Sequence, residues 1–119
     1  MKKLMFILIT VFVGILLAGG LEFPNITYVE HEILYRKTPE FVDFNYLIEI
    51  QGAYRDYDKL LLEIELYDID EEQIKVFREI IDVKKNKFQT FEGTKIIPIE
   101  LADEIEFVGA KLKRIAKKY

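Results

Sequence analysis

The side chains best suited to chemistry in this sequence are carboxylates, and their densest group is Asp68, Asp70, Glu71 and Glu72. Hard cations such as calcium need several oxygen ligands, so Asp68, Asp70 and Glu72 form a candidate calcium set. Read as an EF-hand loop, the stretch puts Glu79 in the twelfth place, but Gln73 stands where the glycine belongs and Lys75 in the apolar slot after it, so that motif fails. The competing reading is a solvated turn whose aspartates bond their own backbone. A pair of carboxylates held about 5–10 Å apart across a cleft would instead suit glycoside hydrolysis. A small sandwich with short loops offers no obvious cleft of that kind.

Composition removes most other chemistries. The chain contains no serine and no cysteine, which excludes Ser-His-Asp and Cys-His nucleophiles, cysteine-based metal centres and disulfides. Its single histidine, His31, cannot assemble a multi-histidine metal site and reads as a surface or satisfied strand residue. No glycine-rich phosphate loop is present. No catalytic residue, resident metal or cofactor is therefore expected.

Binding is the remaining possibility. Most of the nine phenylalanines and seven tyrosines fall at alternating positions and read as core, whereas Tyr54 and Tyr57 flank Asp56 in an acidic turn and form the candidate exposed pair. Asn25-Ile26-Thr27 is an N-glycosylation sequon placed where an exposed linker would run, read first as a chance tripeptide. Lys111, Lys113, Arg114, Lys117 and Lys118 give the acidic chain a basic end, suited to anionic headgroups or to a partner's acids but read first as a solvated terminus.

These residues must be carried by something, and the chain begins with the signal for where. Met1-Lys2-Lys3 precedes an apolar run from Leu4 to Leu21, long enough for a signal-peptide core and just long enough for a spanning helix. Ala18 and Gly20 have the spacing a signal peptidase accepts, so residues 1–20 are expected to be an apolar helix, either a cleaved signal peptide or a retained anchor. In both cases the two lysines stay in the cytoplasm and residues 21–119 are extracytoplasmic, secreted or membrane-held through residues 4–21. Removing Lys2 and Lys3 from 17 basic residues leaves 15 against 21 acidic ones, a net charge near −6, which argues against a nucleic-acid partner.

Alternation organises the rest. Leu60, Leu62, Ile64 and Leu66 recur at every second position of LLLEIELYD, the period of a strand with one buried face. Burial of each is worth roughly 1.5–3 kcal/mol, so this segment anchors the core. A first strand is expected over Thr27–Tyr35, near an edge because both faces carry polarity, and a second from Phe44 to Tyr54. The short link Arg55–Lys59 predicts that this second strand pairs antiparallel with Leu60–Asp68. Ile74–Val83 is expected as a strand, although Asp70 and Gln73 would also cap a helix there. Phe88–Phe91 reads as a short strand, Gly93 as a turn and Thr94–Leu101 as an edge strand limited by Pro98. The tail fits either a helical seam through Leu101, Ile105, Val108, Leu112 and Ile115 or a closing strand with a bulge at Gly109, and the strand is preferred.

The run Ile48 to Asp68 resembles the FxLYD domain, a small immunoglobulin-like module of exported prokaryotic proteins. Ile64-Glu65-Leu66-Tyr67-Asp68 reproduces its name-giving string with Ile in place of Phe, Gly52 matches a usual glycine, and Asp56 stands near a usual asparagine. The resemblance implies an all-β, immunoglobulin-like sandwich of about seven strands over residues 21–119, without a defined catalytic site. The resulting expectation is a non-catalytic interaction or envelope-structural module with a protein partner in the cell envelope. A carboxylate-dependent hydrolase of envelope glycans and a calcium-dependent adhesion module are the alternatives.

Overall fold

The computed structural model describes residues 7–9, 21–36 and 40–115. Alternating apolar side chains build a strand of the second sheet, β4 (Tyr57–Tyr67), next to β5 (Gln73–Val83) and β7 (Phe107–Arg114) in the order β5-β4-β7. A first sheet runs β1-β2-β3-β6, from β1 (Ile7–Ile9), β2 (Asn25–Tyr35), β3 (Phe41–Gln51) and β6 (Phe88–Pro98). All neighbours are antiparallel. The architecture is an all-β sandwich: β3 turns Val42, Phe44, Ile48 and Ile50 inward, β4 turns Leu60, Leu62, Ile64 and Leu66 inward, and all eight are 2 % exposed or less.

The inward register of Leu60 to Leu66 is therefore as the alternation predicts, but the partner of β4 is not. β3 and β4 do not pair; they lie in different sheets, and residues 52–56 cross between them. The reason is energetic. Both strands bury one full apolar face, and facing each other across the sandwich covers both at once, whereas side-by-side pairing would leave a second layer to be found elsewhere. Residues 84–87 make the next crossing. A short helix absent from the sequence reading, α1 (Ile99–Glu104), makes the last, burying Ala102 and leading into buried Ile105.

Two other expectations are corrected. Phe88 to Pro98 is one continuous strand with Gly93 in its middle, not two strands and a turn. Gly93 lies opposite Tyr46, and a Cβ there would come within 2.4 Å of the Tyr46 hydroxyl, so the glycine makes room for a ring rather than bending the chain. The sequon does not lie in a linker: Asn25 opens β2 opposite Gln51, and Thr27 donates its hydroxyl to the Glu49 carbonyl at 3.3 Å. Pro98 closes an edge strand, as its missing N–H requires.

Ile74 to Val83 lies in β5 and Phe107 to Arg114 of the tail forms β7, while Leu101 to Glu104 belongs to α1; β7 pairs with β4 without a register shift, so Gly109 is not a bulge. The nearest atom to a Cβ on Gly109 would be Tyr67 Cε2 at 3.7 Å, an ordinary contact. Gly109→Ala is accordingly expected to raise stability by about 0.4–1 kcal/mol through the unfolded chain. A thermal melt showing a clear loss would contradict the unstrained backbone. Of the apolar helix expected over residues 1–20, residues 1–6 and 10–20 lie outside the described residues. Ile7–Ile9 forms a three-residue strand against Tyr28–Glu30. Among the described residues no helix is long and apolar enough to cross a membrane.

Candidate functional site

The outer face of the second sheet carries a ladder of charge. Glu63 and Glu65 alternate with the inward leucines of β4, yet they are only 4 % and 7 % exposed because long side chains from both neighbouring strands fold over them. Arg78 Nε on β5 donates to Glu63 Oε2 at 2.9 Å, and Lys113 Nζ on β7 lies 3.1 Å from Glu63 Oε1. Lys111 Nζ lies 2.9 Å from Glu65 Oε2, and the Tyr67 hydroxyl donates to Glu65 Oε1 at 2.7 Å. Across the sheet the signs run positive, negative, positive.

These partners hold both carboxyls below their ordinary range. For Glu63 the Lys113 hydrogen bond is the largest effect; burial opposes it and Arg78 adds to it. For Glu65 burial is the largest effect and pushes upward, but Lys111, Tyr67 and Gln73 together outweigh it. A carboxyl with a lower pKa folded than unfolded contributes stability above its unfolded value, near 4.3 for glutamate, and loses it as pH falls through the folded value. Acid melts are therefore expected to lose Tm from about pH 5 downward. The double variant Glu63→Gln, Glu65→Gln is expected to flatten that slope, and an unchanged slope would remove the ladder's role.

The sequence-predicted candidates fall elsewhere. In the turn after β4, Asp68 Oδ1 accepts the backbone N–H groups of Asp70 and Glu72, each at 2.9 Å, and the Asp68 carbonyl accepts that of Glu71 at 3.0 Å. Asp68 thus organises its own turn, the arrangement an aspartate adopts in place of a backbone link. Among the described residues, no three His, Cys, Asp or Glu side chains are grouped to hold a metal ion. Tyr54 is half exposed, but Tyr57 is not a surface residue: it is 7 % exposed, and its hydroxyl donates to the Glu22 carbonyl at 2.6 Å. Its ring meets Phe23 edge-on at 5.2 Å, while Arg55 and Arg114 stack against it. Tyr57 ties the entry of the chain to the sandwich. His31 is buried and stacks on Phe44 at 5.8 Å.

The basic end is not simply solvated. Lys111 and Lys113 hold the ladder, and Arg114 lies 5.4 Å from the Phe23 ring centre. Lys117 and Lys118 are outside the described residues. A hollow of about 530 Å³ lies on the outer face of the first sheet, lined by Glu30, Glu32 and Glu92 beside Asn45, Leu47 and Thr94. Glu30 and Glu92 flank Leu47 from opposite neighbouring strands. Comparison of the chain with protein-family models, curated proteins and solved structures found no match to any of them.

Proposed function

We propose that this chain is a non-catalytic, extracytoplasmic interaction module of the cell envelope, immunoglobulin-like and of the FxLYD type, exported and held by residues 4–21 unless these are cleaved. One observation carries the reading: β2, β3 and β6 lie over β5, β4 and β7 with the chain crossing between the sheets, a kind of connection that Greek-key sandwiches, immunoglobulin-like domains among them, also use. Such domains work through faces and edges. In keeping with that, the polar side chains that define this molecule, Glu63, Glu65, Arg78, Lys111 and Lys113, are mutually paired on a sheet face rather than aimed into a cleft. As a helix, residues 4–21 would leave the edge of β2 without Ile7–Ile9. Affinity capture from native membranes, with light scattering of the purified chain, tests the proposal. Recovery of one envelope protein in stoichiometric amount is expected; no partner and no self-assembly would overturn it.

The second reading, a hydrolase of envelope glycans, draws on the hollow between Glu30 and Glu92. It requires turnover of a polysaccharide that Glu92→Gln abolishes. Absence of turnover in the parent protein would end it.

A further inference from the structure

We infer that the outer edge of β7 takes one more strand from a partner, a strand whose side chains alternate between apolar and acidic. This deepens the interaction-module reading and rests on it. Three observations define the strand that fits.

The first is the edge itself. β7 ends the order β5-β4-β7, so among the described residues its outer row of N–H and C=O groups has no neighbouring strand. Edges of this kind recruit further strands by main-chain bonding. Gly109 and Ala110 at its centre leave the backbone open to approach.

The second is the groove beside it. Between this edge and β2 runs a hollow of about 410 Å³ whose walls are Phe23, Ile26 and Val29 on one side and Val108, Ala110 and Leu112 on the other. These six side chains pack against the core but are only partly buried. A strand added to β7 would point every second side chain into this groove, and those must be apolar.

The third is the charge ladder. On the outer face the rows read Arg78 on β5, Glu63 and Glu65 on β4, then Lys111 and Lys113 on β7. The sequence of signs ends on a positive row at the free edge, and the side chains of Lys111 and Lys113 remain half exposed. Carboxylates on the next strand would continue the alternation, whereas lysines there would face like charges. The same positive row opposes pairing of two β7 edges, so the fitting strand comes from an acidic segment rather than from a second β7.

The test uses the full-length protein in a nonionic detergent and two end-blocked eight-residue peptides, one alternating glutamate with valine and one alternating lysine with valine. Hydrogen exchange read by mass spectrometry should slow across residues 107–114 with the glutamate peptide. Its Kd should be lower than that of the lysine peptide by about tenfold or more. Ala110→Leu fills the groove without touching the ladder and should weaken the glutamate peptide by about tenfold. Lys111→Gln reads the same site through charge and should weaken it too, with folding of both variants checked by circular dichroism. Equal binding of the two peptides, protection of another segment, or parental affinity in both variants would overturn the inference. Capture of a native envelope partner that Ala110→Leu leaves unchanged would also overturn it, while leaving the interaction-module reading intact.

Discussion

Ile64→Asp is expected to abolish folding. Ile64 is fully buried at the centre of β4, level with Phe77 on β5 and Ala110 on β7. Loss of the isoleucine alone costs about 2–5 kcal/mol, and a carboxylate placed in this fully buried site adds a desolvation penalty of at least several kcal/mol. Total stability of a domain this size is roughly 5–15 kcal/mol, which the sum consumes. Circular dichroism and a proton–nitrogen correlation spectrum should show an unfolded chain. Ile64→Val, which keeps the shape and removes one methyl, should cost only about 0.5–1.5 kcal/mol. A well-folded Ile64→Asp protein with unchanged melting would refute the register of the central strand.

The second large effect is expected from a single methyl group. A Cβ on Gly52 would lie 2.1 Å from the Lys84 carbonyl oxygen, 3.1 Å from that of Lys87 and 3.2 Å from the Asn86 nitrogen. All three are backbone atoms, so no side-chain rotation relieves the clash. The turn at 84–87 is fastened to this place by three bonds: Gly52 N–H donates to the Lys87 carbonyl at 2.7 Å, Asn86 N–H to the Ala53 carbonyl at 2.8 Å, and Lys85 N–H to Asp56 Oδ1 at 2.8 Å. Gly52→Ala must lift that turn and break some of them. The expected cost is about 3 kcal/mol, the upper part of the range for overpacking, or a fall in Tm of roughly 12–24 °C. A Tm within a few degrees of the parent would show that the two crossovers are not packed as described. Asp56→Ala removes only one of the bonds and should cost about 1 kcal/mol.

The contrast between Gly52 and Gly109 shows what a glycine in a sequence does and does not say. Both stand in alternating apolar stretches, Gly52 read within a strand and Gly109 as a bulge in one. Gly52 is required because a distant turn packs on its backbone, Gly93 because the Tyr46 ring crosses it, and Gly109 by neither cause. Those neighbours are 32 to 35 residues away for Gly52 (84 − 52, 87 − 52) and 47 for Gly93 (93 − 46). No local pattern records them.

The charge ladder was partly visible in the same way. Glu63 and Glu65 stand two apart on the outer face of one strand, and Lys111 and Lys113 stand two apart on another, so a strand pairing with matching periods joins opposite signs. The spacing alone names neither partner nor register. Tyr57 shows the reverse case: its neighbours Asp56 and Asp58 suggest an exposed turn, but the Glu22 carbonyl and the Phe23 ring, over thirty residues upstream, bury it.

What the sequence determined by itself is the class of structure and which side of each central strand is wet. Period-two alternation is a local property of the extended backbone, and in β3 and β4 it sorts inward from outward residues correctly because side chains on a strand must alternate. The absent serine and cysteine likewise restrict chemistry without reference to any fold. Only the tertiary structure decided which strands are neighbours. The link between β3 and β4 is short enough for a hairpin, yet it crosses between sheets, because two strands that each bury a whole face lose less apolar surface to water when stacked than when paired. That choice places β7 against β4 and leaves its outer edge at the end of the sheet. The edge for which we infer a partner strand is set there.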